Sequence, residues 1–115
     1  MAYTQKQIYD YFNANPTGAI VWFGDLEDLN GQDYIFIDYL YDNLIGYDDR
    51  GTYRTNIQIT VATKQFETRK LLTEYVHDFM NVSTTYDTST EFEYYVSRNT
   101  ATIIMYHDEN DFESV

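Results

Sequence analysis

Polar and apolar side chains alternate along residues 53–63, the most regular stretch of the chain. One side of this stretch is lined by Tyr53, Thr55, Ile57, Ile59 and Val61. The other side carries Arg54, Asn56, Gln58 and Thr60. Because successive side chains of a strand point to opposite faces of the sheet, the pattern predicts a half-buried strand.

After Thr63 the spacing of apolar residues becomes helical. The apolar positions are Leu71, Leu72, Tyr75, Val76, Phe79 and Met80, with polar residues between them. This spacing predicts an amphipathic helix. A strand and a helix that each have one apolar side bury both by packing the helix on the sheet, so we expect the rest of the chain to complete that sheet.

A short N-terminal helix is predicted before Pro16. Thr4 and Gln7 have the spacing of a capping box, in which each side chain accepts a hydrogen bond from the other residue's backbone. Pro16 disfavours helical geometry at Asn15 and ends the helix. The unbroken apolar run of residues 19–23 then indicates a strand covered on both faces, at the centre of the sheet or beneath a helix.

Residues 34–41 are rich in β-branched and aromatic side chains and predict a second strand, which residues 44–47 extend. Residues 48–51 are turn formers, so a long hairpin into residues 53–63 is expected. Beyond the main helix we predict a short edge strand at residues 82–86, a turn at 87–90, a strand at 91–97, a tight turn at Arg98 and Asn99, and a last strand at 100–107.

These elements predict an α+β fold with a mostly antiparallel sheet, a long hairpin, an N-terminal helix and one main amphipathic helix packed on the sheet. Residues 1–107 are predicted to form a single domain. Residues 108–115 carry four acidic side chains and predict a flexible tail, or one that a partner orders.

Charge and composition limit the classes of partner. Nineteen acidic and seven basic residues give a net charge of −12, which argues against binding to nucleic acid or to an anionic membrane. The chain has no cysteine, which rules out disulfides and thiolate metal sites and favours the cytosol. Its longest apolar run is too short to span a bilayer, and we expect neither export nor membrane insertion.

No cluster of residues predicts a reaction. The two histidines, His77 and His107, stand outside any catalytic motif, and the spacing of His77 predicts a surface position. Glu91 and Glu93 share a strand face, where solvation is the default for paired acids. The acidic residues 25–32 fail the EF-hand pattern, because Leu26 occupies the first ligand position. We therefore predict no enzyme, metal or cofactor.

The acidic loop and the hairpin tip are the candidate contact sites for a protein partner. Both combine charge or aromatic side chains with a position in a connection rather than in the core. A solvated acidic loop and an ordinary meander are the alternative interpretations, and the first of these is the better account of the loop. The candidate residues are Asp25, Glu27, Asp28, Tyr41, Tyr47, Asp48, Asp49 and Arg50.

The order of elements over residues 4–107 resembles the tail terminator, or tail completion, proteins of long-tailed bacteriophages and prophages. The most similar part is residues 53–72, an alternating strand that ends at Thr63 and Lys64 before the helix. The resemblance implies a structural virion protein that assembles in the host cytoplasm as a ring, usually a hexamer. Such a ring ends the tail tube and joins it to the head, contacting tail-tube and head or neck proteins. No residue-level site carries over, since the family has no catalytic motif. A net charge of −12 suits a lumen through which DNA passes without being held.

Three alternatives remain open at this point. Neck or connector proteins on the head side are built from similar parts. An acidic DNA mimic that inhibits a nucleic-acid-binding enzyme also explains the charge, although here the acids concentrate in loops and the tail. A small cytosolic enzyme or ligand-binding domain would require a pocket.

Overall fold

The computed structural model describes residues 2–24, 31–40, 46–47, 52–83 and 86–106, with only the backbone described at residues 46, 47, 86 and 87. In chain order the elements are β1 (Ala2–Tyr3), α1 (Gln5–Asn13), β2 (Ile20–Phe23), β3 (Tyr34–Tyr39), β4 (Gly46–Tyr47), β5 (Thr52–Ala62), α2 (Phe66–Val82), β6 (Tyr86–Glu93) and β7 (Val96–Tyr106). Within these ranges, no helix is both long enough and apolar enough to cross a membrane.

Two strands of 11 residues, β5 and β7, form the middle of the sheet. They pair antiparallel, from Thr52 opposite Tyr106 to Ala62 opposite Val96. Along the other edge of β5 lie β3 and β4, both antiparallel, and β2 pairs parallel with β3. Along the other edge of β7 lie β6, antiparallel, and β1, parallel. The sheet is therefore mixed, with β2 at one edge and with β6 and β1 sharing the other.

The predicted α+β fold with two helices is confirmed, and the mostly antiparallel sheet is confirmed in part, because β1 and β2 pair in parallel. The long hairpin is present where the chain is described: Tyr39 lies opposite Ile57, and Tyr47 opposite Tyr53. Its residues 41–45 and predicted turn 48–51 fall outside the described residues, as do residues 25–30 and 107–115. The domain boundary at residue 107 stays a prediction.

Both helices pack on one face of the sheet. Phe12 of α1 and Phe79 of α2 are buried there, with ring centroids 5.0 Å apart. Beneath them lie the buried sheet residues Val21, Ile35, Ile37, Ile57, Ile59, Val61, Ala101, Ile103 and Met105. Burying one such large aliphatic side chain contributes about 1.5–3 kcal/mol, so this shared core determines which face α2 covers. The predicted strand 53–63 and the main helix are both confirmed, although Leu71 of the predicted apolar stripe is exposed.

Both ends of α1 are held by side chains. At its start, Thr4 Oγ1 accepts the Gln7 N–H at 3.1 Å and Gln7 Oε1 accepts the Thr4 N–H at 3.0 Å, which confirms the predicted capping box. After its end, the buried Asn15 side chain bonds both the N–H and the C=O of Ala19, at 3.0 Å each. Asn15 thereby directs the chain from α1 into β2.

The strand predicted at residues 19–23 lies beneath a helix, as one of its two predicted positions requires, because Val21 is buried against α1. Its predicted cover on both faces is wrong. We expected it to be covered on both faces, but β2 lies at the edge of the sheet, and Ile20, Trp22 and Phe23 are 38%, 47% and 37% exposed. An unbroken apolar run is typical of a strand between two layers, but the helices cover only one face of this sheet. The run therefore leaves apolar side chains at the surface.

The predictions for residues 82–99 are also wrong in their boundaries. Val82 ends α2, and β6 runs through the predicted turn at 87–90. The chain turns at Tyr94 and Tyr95, where Tyr95 has φ 71, rather than at Arg98 and Asn99. Tyrosine rarely adopts positive φ. Because neither glycine nor asparagine stands at this turn, no turn signal is present in the sequence there. The turn is held to the sheet because the Thr63 N–H donates to the Tyr95 carbonyl at 2.9 Å.

Candidate functional site

An open groove separates α2 from β6 at one edge of the sheet, and we call it the α2–β6 groove. Its central hollow has a volume of about 420 Å³ and is lined by Phe66, Arg69, Lys70, Thr73, Glu74, His77 and Phe92. All but Phe92 come from α2, at spacings of three, four and seven residues that place them on one side of the helix. Phe92 is contributed by β6.

Two smaller hollows extend the groove along α2. One of about 190 Å³, at the start of the helix, shares Phe66 and Arg69 with the central hollow and adds Lys64, Tyr94 and Tyr95. The other, of about 280 Å³, shares His77 and continues toward the end of the helix. The groove therefore follows most of α2.

The groove exists because α2 sits over β5 and β7 rather than over β6. The helix approaches β7 at Thr73, whose hydroxyl hydrogen-bonds the Ser97 hydroxyl at 2.7 Å. Both side chains are buried, and their small size allows this close approach. Phe66 and Phe92 flank the space that remains, and they are 65% and 59% exposed.

Arg69 holds the centre of the groove. Its guanidinium carbon lies 5.3 Å from the ring centroid of Phe66 and 5.3 Å from that of Phe92, and Nη1 donates to the Glu93 carbonyl at 2.9 Å. A cation over an exposed aromatic ring contributes about 0.5–1 kcal/mol. These contacts fix a positive charge between two exposed rings.

A hydrogen-bonded network lies beneath the groove, on the sheet side. His77 Nε2 lies 2.8 Å from Thr90 Oγ1 and 3.1 Å from Asn99 Oδ1, and Thr90 Oγ1 donates to Asn99 Oδ1 at 2.9 Å. Asn99 is fully buried, and its Nδ2 donates to the Ile59 carbonyl at 3.0 Å, which orients the amide. Because an amide oxygen only accepts, the proton of His77 lies on Nε2.

This tautomer gives His77 a structural role. With its Nε2 proton donated to Thr90 and Asn99, the imidazole cannot remove a proton from the Thr90 hydroxyl, as a general base beside a nucleophile must. The predicted surface position of His77 is confirmed in part, since the residue lines the open groove but its ring is half-buried between α2, β6 and β7. Among the described residues, no group of three His, Asp or Glu side chains is placed to hold a metal ion.

The charge of the groove opposes that of the whole chain. Lys64, Arg69 and Lys70 line it, three of the seven basic residues of a chain whose net charge is −12. Glu74 is the acidic side chain that lines the central hollow. Three basic and one acidic side chain give the groove a net charge of +2, and a net positive cleft with apolar walls raises the local concentration of negatively charged groups.

A second exposed apolar surface lies at the opposite edge of the sheet. On the face away from the helices, Ile20 pairs with Tyr34 and Trp22 with Phe36, and the Tyr34 and Phe36 rings stack at 5.2 Å. The outer edge of β2 has no strand paired with it in the part of the chain that the structure describes. We call this surface the β2 edge. Exposed apolar edge strands are sites of protein association.

The contact residues predicted from the sequence are not tested by this geometry. Asp25, Glu27, Asp28, Tyr41, Asp48, Asp49 and Arg50 lie outside the described residues. The backbone of Tyr47 forms part of β4, opposite Tyr53, and its side chain is not described. The predicted partner contacts in the acidic loop and hairpin tip therefore stay predictions.

Sequence reasoning missed the residues that form the two exposed surfaces. Phe66, Arg69 and Lys70 follow helical spacing, and that signal was available within α2. Phe92 was assigned to a strand, but its place beside α2 depends on the turn at Tyr94, which carries no turn signal. The exposure of Trp22 depends on the order of strands in the sheet.

Comparison of the chain with protein-family models, with curated proteins and with solved structures finds no match.

Proposed function

We propose that this chain is a structural assembly protein that forms a ring at the head-proximal end of a bacteriophage tail. One observation carries the proposal: two unlike apolar surfaces, the α2–β6 groove and the β2 edge, are exposed at opposite edges of one sheet. A chain with two different surfaces can bind its own kind through one and another component through the other. A component that ends the tail tube and joins it to the head needs both kinds of contact.

The groove is the surface we assign to contact between copies. The groove is not complementary to the same groove of another copy, because both grooves would present positive charge and exposed aromatic rings. A contact between unlike patches repeats from copy to copy, and it closes into a ring when the rotation allows. Rotational symmetry would then present every β2 edge in the same orientation to the next component.

The resemblance over residues 4–107 and the net charge support the more specific role of a tail terminator. An acidic protein lining a channel repels the phosphates of passing DNA, so the DNA is not held. The protein would belong to the virion, with copies of itself, the tail tube and the head or neck proteins as partners.

Electron microscopy of the purified full chain tests this proposal. We expect rings with a central opening. The Phe92→Ser variant should not assemble into these particles, because the substitution removes one of the two exposed aromatic side chains of the groove. Leu71→Ser is the matched control, since Leu71 is exposed on α2 but does not line the groove, and it should keep the rings.

Single subunits in every preparation of the unsubstituted chain would contradict the proposal. They would favour the acidic DNA-mimic alternative, for which inhibition of DNA-binding enzymes is the direct assay. Equal loss of rings in Phe92→Ser and Leu71→Ser would show that the groove is not the contact between copies.

A further inference from the structure

We infer that the α2–β6 groove binds the acidic segment at residues 108–113 of another copy of this chain. The inference rests on the proposed self-association and names the part of the neighbour that occupies the groove. It follows from the charge and apolar character of the groove, from the composition of the segment that continues β7, and from the distance between them.

The groove suits an occupant that has both an aromatic ring and negative charge. Phe66 and Phe92 expose their rings on either side of the Arg69 guanidinium. Lys70 borders the same hollow and is exposed, and Lys64 borders its extension. An apolar side chain can pack on the two rings while carboxylates meet the neighbouring ammonium and guanidinium groups.

The segment that follows β7 has this composition. It reads Asp108, Glu109, Asn110, Asp111, Phe112 and Glu113, which is one aromatic ring among four carboxylates. In a chain of net charge −12 such a segment is repelled by most of the surface. The groove, with three of the seven basic residues, offers it the opposite charge.

Chain length favours an occupant from another copy for the part of the groove beside Arg69. Arg69 bonds the carbonyl of Glu93, which lies opposite Val96 at the first end of β7. The segment leaves from Tyr106 at the other end of this 11-residue strand, roughly 33 Å away. Residues 107–112 span at most roughly 22 Å when fully extended. Along the backbone, Phe112 of the same subunit therefore falls roughly 11 Å short of the Arg69 contact, whereas a segment from another copy has no such limit.

The arrangement also explains why the contact repeats. The Arg69 end of the groove and the start of the segment lie toward opposite ends of β7. A segment from one copy can therefore enter the groove of a second copy, and the segment of the second copy can enter the groove of a third. This is a contact between unlike patches, the type that builds rings.

A peptide binding experiment tests the inference. The receptor is the full chain carrying Phe112→Ser, whose own segment lacks the ring and competes poorly. The probe is a fluorescein-labelled peptide of residues 107–115, followed by fluorescence anisotropy. Two matched peptides serve as controls: one with Phe112→Ser, and one with its acidic residues replaced by Asn and Gln. We expect the native peptide to bind at least tenfold more tightly than either control.

Two charge reversals in the receptor locate the site. Lys70→Glu should weaken binding of the native peptide at least tenfold. Lys6→Glu makes the same change of charge on α1, outside the groove, and should leave binding unchanged. Circular dichroism checks that both variants are folded.

Absence of binding, equal binding of the Phe112→Ser peptide, or equal effects of Lys70→Glu and Lys6→Glu would each overturn the inference. Its failure is distinguishable from failure of the proposed function. If the unsubstituted chain assembles into rings but the peptide does not bind, the proposed occupant of the groove is refuted and the proposed function is not. Peptide binding without rings would support the docking site and refute the ring.

Discussion

The two edges of the sheet expose apolar side chains in different chemical settings. At the β6 edge, Phe66 and Phe92 lie on either side of the Arg69 guanidinium, and a hydrogen-bonded network anchored by the buried Asn99 lies beneath them. At the β2 edge, Ile20 and Trp22 stand beside the stacked rings of β3, on a strand that is paired along one edge only in the described part of the chain.

Because of this difference, the two edges should bind partners of different chemistry. Charge in the groove selects an oppositely charged partner and makes its binding depend on salt. At the β2 edge, selection rests on shape, on apolar area and on backbone hydrogen bonds to an added strand. The groove is also tied to the interior, because the side chains beneath it bond the core strand β5. Substitutions at the two edges should therefore differ in their effects on stability and on assembly.

The largest expected effect on stability comes from Asn99→Ala. The change leaves the buried Ile59 carbonyl and the His77 ring without their amide partner, and an unsatisfied buried polar group costs about 1–3 kcal/mol. We expect the free energy of unfolding in urea to fall by about 2 kcal/mol. Ser89→Ala removes an exposed hydroxyl from the same hairpin and should change it by less than about 0.5 kcal/mol. Equal effects of the two would mean that the network does not support the groove.

A smaller effect is expected for Arg69→Gln. The substitution removes the charge between Phe66 and Phe92 and weakens the bond to the Glu93 carbonyl, so the free energy of unfolding should fall by about 1 kcal/mol. Lys64→Gln removes the same charge from an exposed position at the end of the groove, and thermal unfolding should not detect it. An unaltered melting temperature in Arg69→Gln would show that the guanidinium is not held by the rings.

The smallest effect on assembly is expected at the other edge. Trp22→Ser replaces a side chain that is 47% exposed, and losing its buried half should lower the free energy of unfolding by about 1 kcal/mol. The ring mass should stay unchanged, because the account assigns contact between copies to the groove. Loss of rings in Trp22→Ser with retention in Phe92→Ser would exchange the roles of the two edges.

Periodicity predicted the elements whose local pattern agrees with their final position. The strand at residues 53–63 and the helix that follows have one apolar side each, and both bury that side in the shared core. The capping box at Thr4 was predictable because its two hydrogen bonds are made within four residues. In these cases, local sequence holds all the information that the structure uses.

The exposed surfaces could not be predicted in the same way, because they depend on contacts between distant residues. The apolar run of β2 has the same pattern in a central strand and in an edge strand, and only the strand order distinguishes them. Asn99 is a turn former by type but lies fully buried, bonded to the carbonyl of Ile59 on the neighbouring strand. The turn lies at Tyr94 and Tyr95 rather than at the predicted Arg98 and Asn99, and this position places Phe92 beside α2, where it lines the groove.

The most direct test of the account is the mass of the full chain in solution, measured by light scattering after size exclusion at several concentrations. The account predicts a closed assembly that grows with concentration toward about six times the 13.7 kDa of one subunit, the number that the resemblance implies. A mass of one or two subunits at every concentration would contradict it, because a monomer makes no contact between copies and a symmetric dimer joins like patches, whereas the account joins the groove of one copy to a different patch of the next.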